Sequence, residues 1–159
     1  MRVSTADTHL VSNPGLPYLP HPKIRRKADF SVTILSMFTA RRRTLFLDAA
    51  VLVVVVLIVY AGIGKNLFMT IWWWDIPAHV LGGVWVALGY AYLMRLWNKP
   101  VTFPACVGVA LAVGVGWEIF EYILGIGGSV FMSYAADTTK DLVDDCIGGA
   151  IAYFVSKFL

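Results

Sequence analysis

The chain has 159 residues, of which 58% are hydrophobic and 14% are charged, and its mean hydropathy is +0.71. A soluble domain averages about 45–50% apolar and about 25% charged residues, so the profile points to an integral membrane protein and leaves no room in this length for a separate soluble catalytic domain. The net charge of +3 conceals a segregation of signs along the chain, and nothing in the composition points to nucleic acid as a partner.

Residues 1–27 are polar and rich in proline (Pro14, Pro17, Pro20, Pro22), and end in Lys23, Arg25, Arg26 and Lys27. They are expected to form a flexible cytoplasmic tail. No apolar core follows directly, so the segment is not a signal peptide. Residues 28–43 place Phe30, Ile34, Leu35 and Phe38 ahead of Arg41, Arg42 and Arg43. That pattern suits an amphipathic helix on the inner membrane surface, and a linker is the alternative.

A four-helix membrane domain is expected over 45–159. A span needs about 20 apolar residues. The first runs over about 45–64 around the Val51–Tyr60 stretch, with Asp48 near its start and Lys65 and Asn66 at its end. Trp72, Trp73 and Trp74 mark a membrane–water boundary, where indole rings prefer to sit. The second span covers about 76–97, with Pro77 in its first turn, where proline is tolerated. Asn98-Lys99-Pro100 closes it, and the third covers about 101–124. Gly125–Ala136 is a loop or re-entrant turn. The fourth covers about 137–158, and only Cys146–Ser156 in it is continuously uncharged.

Lysines and arginines set the orientation. With a cytoplasmic N-terminus, eleven of the 13 fall inside and only Lys65 and Lys140 fall outside. The positive-inside bias therefore predicts a multi-pass protein of the inner or plasma membrane with both termini cytoplasmic. Small residues recur every four positions in three spans: Gly83, Ala87 and Ala91; Gly108, Ala112 and Gly116; Gly148, Ala152 and Ser156. Such tracks let helices approach closely in lipid. Spans two to four are expected to form the tight core, with the first packed outside. Cys106 and Cys146 read as free, buried thiols.

Seven of the chain's 10 acids gather at the outer ends of these spans. Asp75 and His79 are i, i+4 on the second and share a face. Glu118 and Glu121 are i, i+3 on the third. Asp137, Asp141 and Asp145 step by four along the fourth, with Asp144 beside them. Asp75 and Asp137 each have a second reading as a helix N-cap. A charged acid at mid-bilayer costs about 2.5–3.5 kcal/mol on insertion scales, and two lysines cannot neutralise seven carboxylates. The remainder must bind protons, metal ions or a cationic ligand. Three readings stay open: a metal site, protonated acids lining a polar cavity or proton path, and a structural hydrogen-bond network.

One imidazole with several carboxylates suits a borderline-to-hard divalent ion such as Zn, Mn, Fe or Mg. The ligand candidates are His79, Asp75, Glu118, Glu121, Asp137 and Asp141, with Asp144 and Asp145 as further pocket residues. Glu118, Glu121 and Asp141 are the catalytic candidates, since a spare carboxylate could take a proton from metal-bound water. There is no His-Glu-x-x-His helix, no Gly-x-Ser-x-Gly elbow and no Walker loop. Outer-side arginine is also absent, which weakens a phosphatase reading.

Three motifs, Asp75-Ile-Pro-Ala-His79-Val-Leu-Gly82-Gly83, Trp117-Glu118-Ile-Phe-Glu121-Tyr122 and Asp137-Thr138-Thr-Lys-Asp141-Leu142 followed by Gly148-Gly149, resemble the YjdF-like small bacterial membrane proteins. In that group the pattern is D-x-x-x-H-F-x-x-G, E-x-x-E-W and D-T-x-x-D-(M/L)-x-x-x-x-x-G-A. Order and spacing match over about 75–150. More distantly, the first segment is similar to the VanZ-like proteins, some of which are linked to glycopeptide resistance. Val80 stands where an aromatic is usual, Tyr122 replaces Trp, Gly149 replaces Ala, and the Asp144-Asp145 pair is extra. The resemblance implies a helical inner-membrane fold, links Asp75, His79, Glu118, Glu121, Asp137 and Asp141 as one set, and supplies no reaction. The leading expectation is an all-α membrane protein with an outward-facing, metal-binding acidic pocket, a hydrolase acting on a lipid-linked or envelope substrate. A proton- or cation-coupled transporter and a non-catalytic membrane assembly protein are the alternatives.

Overall fold

The computed structural model describes residues 22–126 and 128–159, with side chains from residue 35 onward. Every regular element among them is helical: α1 (Pro22–Gly64), α2 (Leu67–Thr70), α3 (Asp75–Leu96), α4 (Phe103–Leu124) and α5 (Tyr134–Ser156). Among the described residues, three segments are long and apolar enough to cross a membrane, Leu35–Gly64 of α1, Asp75–Leu96 and Phe103–Leu124. α5 matches them in length, but Asp137, Lys140, Asp141, Asp144 and Asp145 load its first half with charge.

α1 departs from the expected segmentation. It continues through Arg41–Arg43 without a break, so 28–43 is not a separate surface helix but the first part of the same rod. Its 43 residues extend about 65 Å at 1.5 Å each, about twice the bilayer's hydrocarbon thickness. Residues 22–27, expected in the tail, are already helical. The rest of the expected tail, 1–21, lies outside the described residues.

The helix ends are written in local chemistry. Asn66 and Asn98 adopt left-handed backbone conformations after α1 and α3, a region that asparagine tolerates better than most residues. Gly125, at φ 64°, ends α4. Ser133 caps α5 by accepting from the Ala136 N–H. The N-cap reading of Asp137 is thereby replaced, since that residue lies in the first turn and is buried. Asp75 is the first residue of α3 and likewise serves no cap role, because its carboxylate faces His79 and Lys140.

α3 is the central element. It packs against α1, α4 and α5, while α4 and α5 pack on each other. α3 and α5 run parallel, and their backbones touch at two glycines. A Cβ built on Gly83 would lie 2.3 Å from the Asp145 carbonyl oxygen, and one on Gly148 would lie 2.2 Å from the Val80 carbonyl oxygen. Gly149 makes the matching approach to α4, 2.8 Å from the Cys106 carbonyl oxygen. The core between them is small and apolar: Val84, Ala87, Leu88, Ala91, Cys106, Ala110 and Ala152 are buried. The small-residue tracks of α3 and α5 therefore lie in the core. The track expected on α4 does not, because Gly108, Ala112 and Gly116 are exposed. The inward face of α4 is the row Cys106, Ala110, Gly114 and Glu118.

At the end opposite the acids, polar groups tie the helices together. Arg95, near the end of α3, donates to Thr44 Oγ1 on α1 and to the Ser156 carbonyl on α5. Arg41 donates to the Arg95 carbonyl at 3.0 Å and to Asn98 Oδ1 at 2.8 Å. Two helix C-termini thus have orphan carbonyls satisfied by guanidinium groups, which also suit the negative end of the helix dipole. Both cysteines are free.

Gly148→Ala is expected to cost about 1–3 kcal/mol, since its Cβ meets backbone that cannot swing away. Gly108→Ala is expected to be neutral or slightly stabilising, because nothing lies near that Cβ and Gly costs about 0.5–1 kcal/mol against Ala inside a helix. Thermal unfolding of the two variants in detergent, followed by circular dichroism, separates them.

Candidate functional site

The acidic ends of α3, α4 and α5 meet at one end of the bundle. His79, one turn into α3, is 8% exposed. Its Nε2 lies 3.5 Å from Asp75 Oδ1 and 3.9 Å from Asp141 Oδ1, and its Nδ1 lies 3.5 Å from Asp145 Oδ2. Both ring nitrogens therefore face carboxylates from two helices. Asp75, His79 and Asp141 can each bring one ligand atom within 4.8 Å of the others. The spacing along the chain explains the convergence. Asp75 and His79 share a face of α3, Asp141 and Asp145 share a face of α5, and the Gly83–Gly148 contact holds those faces together.

Lys140 sits among the same acids. Its ammonium donates to Asp75 Oδ2 at 3.2 Å and to Asp141 Oδ1, and lies 3.8 Å from Asp144 Oδ2. Four carboxylates thus surround two nitrogen-bearing groups. With His79 counted as imidazolium and all four acids ionised, two negative charges remain uncompensated. Buried Asp144 Oδ2 and Asp145 Oδ2 accept no hydrogen bond among the described residues. On that count the cluster holds more negative than positive charge, with Lys140 3.8 Å from Asp144 Oδ2 and His79 3.5 Å from Asp145 Oδ2 as ion pairs rather than hydrogen bonds.

Asp145 reaches its position through a space on α4. A Cβ on Gly114 would lie 2.1 Å from Asp145 Oδ2. Any larger residue there would push the carboxylate off the imidazole. Gly114 is a close-contact position that reading small-residue tracks misses. Stepping inward by four from Glu118, the one buried acid of α4, finds it.

The remaining acids form the flank of the same nest. Glu118 is 7% exposed, and its Oε2 accepts from Thr138 Oγ1 at 2.7 Å while its Oε1 has no partner among the described residues. Glu121 is half-buried and accepts from Trp117 Nε1 at 2.8 Å. It lies within electrostatic reach of Glu118, His79 and Asp75. Asp137 is buried and lies within reach of Lys140, Asp75, Glu118 and His79. Of the six residues expected as ligands, Asp75, His79 and Asp141 make the tight trio, and Glu118, Glu121 and Asp137 stand beside it. Lys140 and Thr138 are the members that sequence reasoning left out, although Lys140 precedes Asp144 by one helical turn.

The donor set is one that could hold a metal ion. It offers two carboxylate oxygens and one imidazole nitrogen, with the second imidazole nitrogen facing a further carboxylate, the arrangement by which outer carboxylates orient ligating histidines. Beside the nest, a groove of about 250 Å³ runs between α4 and α5, lined by Glu118, Ile119, Tyr122, Tyr134 and Leu142 among others.

Thr138→Val removes the one donor to the Glu118 carboxylate among the described residues and is expected to destabilise the protein by about 1–3 kcal/mol. Thr139→Val, whose hydroxyl donates to the Ala135 carbonyl on the exposed side, serves as the control in the same detergent melt.

No curated protein and no solved structure matches the chain. The model of the family described as predicted membrane protein (DUF2238) matches residues 28–159. That match takes in all the helices from α3 onward, the glycine contacts and every acid of the nest, and the chain belongs to this family.

Proposed function

We propose that this protein is a four-span protein of the plasma membrane, termini cytoplasmic, that binds a divalent cation in an acidic pocket opening outward. In this reading α5 is the fourth span, able to cross because its charged half faces α3 and α4 rather than lipid. The basic groups Arg41, Arg95, Lys99 and Lys157 at the opposite end support the orientation. The YjdF-like resemblance agrees with membership of the DUF2238 family.

The observation that carries the proposal is the convergence of Asp75, His79 and Asp141, backed by Asp145 on the far side of the imidazole. Asp75, His79 and Asp141 would hold the ion, and Asp145 would orient His79. A divalent ion bound there would supply Lewis-acid activation of a water or an ester oxygen. The chain's own groups then suit hydrolysis. Glu118 and Glu121 are spare carboxylates near the trio, available to accept a proton. The groove beside Glu118, apolar along Ile119 and Leu142, suits the hydrocarbon chain of a lipid-linked substrate. A conduit is less well supported. Val84, Ala87, Leu88, Cys106, Ala110 and Ala152 form an apolar layer between the nest and the Arg95–Thr44 end.

Equilibrium dialysis of the detergent-purified protein against Zn2+ or Mn2+, with elemental analysis, tests the proposal. Wild type is expected to retain one ion per chain, and Asp141→Asn and His79→Ala to retain none. Asp145→Asn is expected to bind about 10–100-fold more weakly, the usual effect of losing an outer-shell partner. A wild-type protein that retains no ion under any of these conditions would sink the proposal.

A further inference from the structure

Lys140 occupies the space that a bound cation would claim. Its ammonium bonds Asp75 Oδ2 and Asp141 Oδ1, the carboxylates of two of the three residues that offer ligand atoms to an ion. Its side chain is 20% exposed, so it lies at the mouth rather than the floor of the nest. One helical turn further along α5, Asp144 Oδ2 is buried, accepts no hydrogen bond among the described residues, and lies 3.8 Å from the same ammonium.

We propose that Lys140 is a tethered resident cation that gates the site: it neutralises Asp75 and Asp141 while the site is empty, and swings onto Asp144 when a divalent ion enters. This rests on the cation-binding reading above and adds to it how entry is regulated.

The physical logic has three parts. An ammonium and a divalent ion compete for the same two carboxylates, because like charges that close repel each other. An ammonium expelled from Asp75 and Asp141 cannot be left unpaired in a partly buried place. Asp144 provides an acceptor within the reach of a flexible four-carbon stem, on the same helix at i, i+4. The unsatisfied oxygen of Asp144 then has a purpose, as the parking position for a charge that moves. The extra Asp144-Asp145 pair divides its work accordingly, Asp145 for the imidazole and Asp144 for the lysine.

A double-mutant cycle on Mn2+ affinity tests this, measured by isothermal titration on the full-length protein in detergent. Lys140→Met is expected to bind Mn2+ at least about tenfold more tightly than wild type, as a competitor held at a few ångströms is removed. Lys140→Gln serves as the second variant should Lys140→Met fail to fold. Asp144→Asn is expected to weaken binding about tenfold when Lys140 is present and less than about threefold in the Lys140→Met background, because the landing site matters only to a lysine. An Asp144→Asn effect of equal size in both backgrounds would show a general field effect and overturn the gate. So would unchanged affinity in both Lys140→Met and Lys140→Gln while wild type binds Mn2+, and that result leaves the cation site standing. If neither wild type nor the lysine variants bind Mn2+, the cation site and the gate fall together.

Discussion

The contact of α3 with α5 at Gly83 and Gly148 sets the geometry of everything at the acidic end. Each glycine lies against the other helix's backbone with no space for a Cβ. In lipid, helices gain little from hiding apolar surface from each other, so association relies on close van der Waals packing between small residues. Because the two helices run parallel, the contact brings the start of α3 level with the start of α5. Asp75 and His79 come opposite Asp141 and Asp145 for that reason, and Gly149 and Gly114 extend the same logic to α4.

Burying this many acids is expensive, and the fold offsets the cost unevenly. Lys140 and His79 take up part of the charge, Thr138 serves Glu118, and Trp117 serves Glu121. Three carboxylate oxygens, on Glu118, Asp144 and Asp145, accept no hydrogen bond among the described residues, although Lys140 lies 3.8 Å from Asp144 Oδ2 and His79 lies 3.5 Å from Asp145 Oδ2. A bundle selected only for stability would have no use for them, since an apolar replacement would often be neutral or better. Ionisable groups buried in such a bundle motivate the functional reading proposed above. The opposite end makes the contrast: there the guanidinium groups of Arg41 and Arg95 close on helix C-terminal carbonyls and on Thr44, a use that needs no further ligand.

Much of this was legible in the residues. The helical period placed the acids of α3 and α5 on single faces, and the small tracks of α3 and α5 identified their packing sides. Three things were not legible. The 43-residue continuity of α1 was hidden by Arg41–Arg43, which look like the end of a surface helix but extend from an unbroken rod. The packing face of α4 was misassigned because both of its faces carry glycine: Gly108 and Gly116 are exposed, while Gly114 is buried against Asp145. Composition cannot rank two glycine tracks, whereas the buried Glu118 does, as a carboxylate must face the interior. Lys140 was counted only as one of two outer-side lysines available to offset the acids, and its place between Asp75 and Asp141 emerges only once α3 and α5 are set side by side.

A crystal of the protein grown with Mn2+, examined at a wavelength where manganese scatters anomalously, tests most directly whether the nest exists to hold a cation. The expected result is a single strong anomalous peak among Asp75, His79 and Asp141, with the Lys140 ammonium moved toward Asp144. A map with no peak there, with Lys140 still bridging Asp75 and Asp141 at high Mn2+, would contradict it and leave the cluster as an internal ion-pair network.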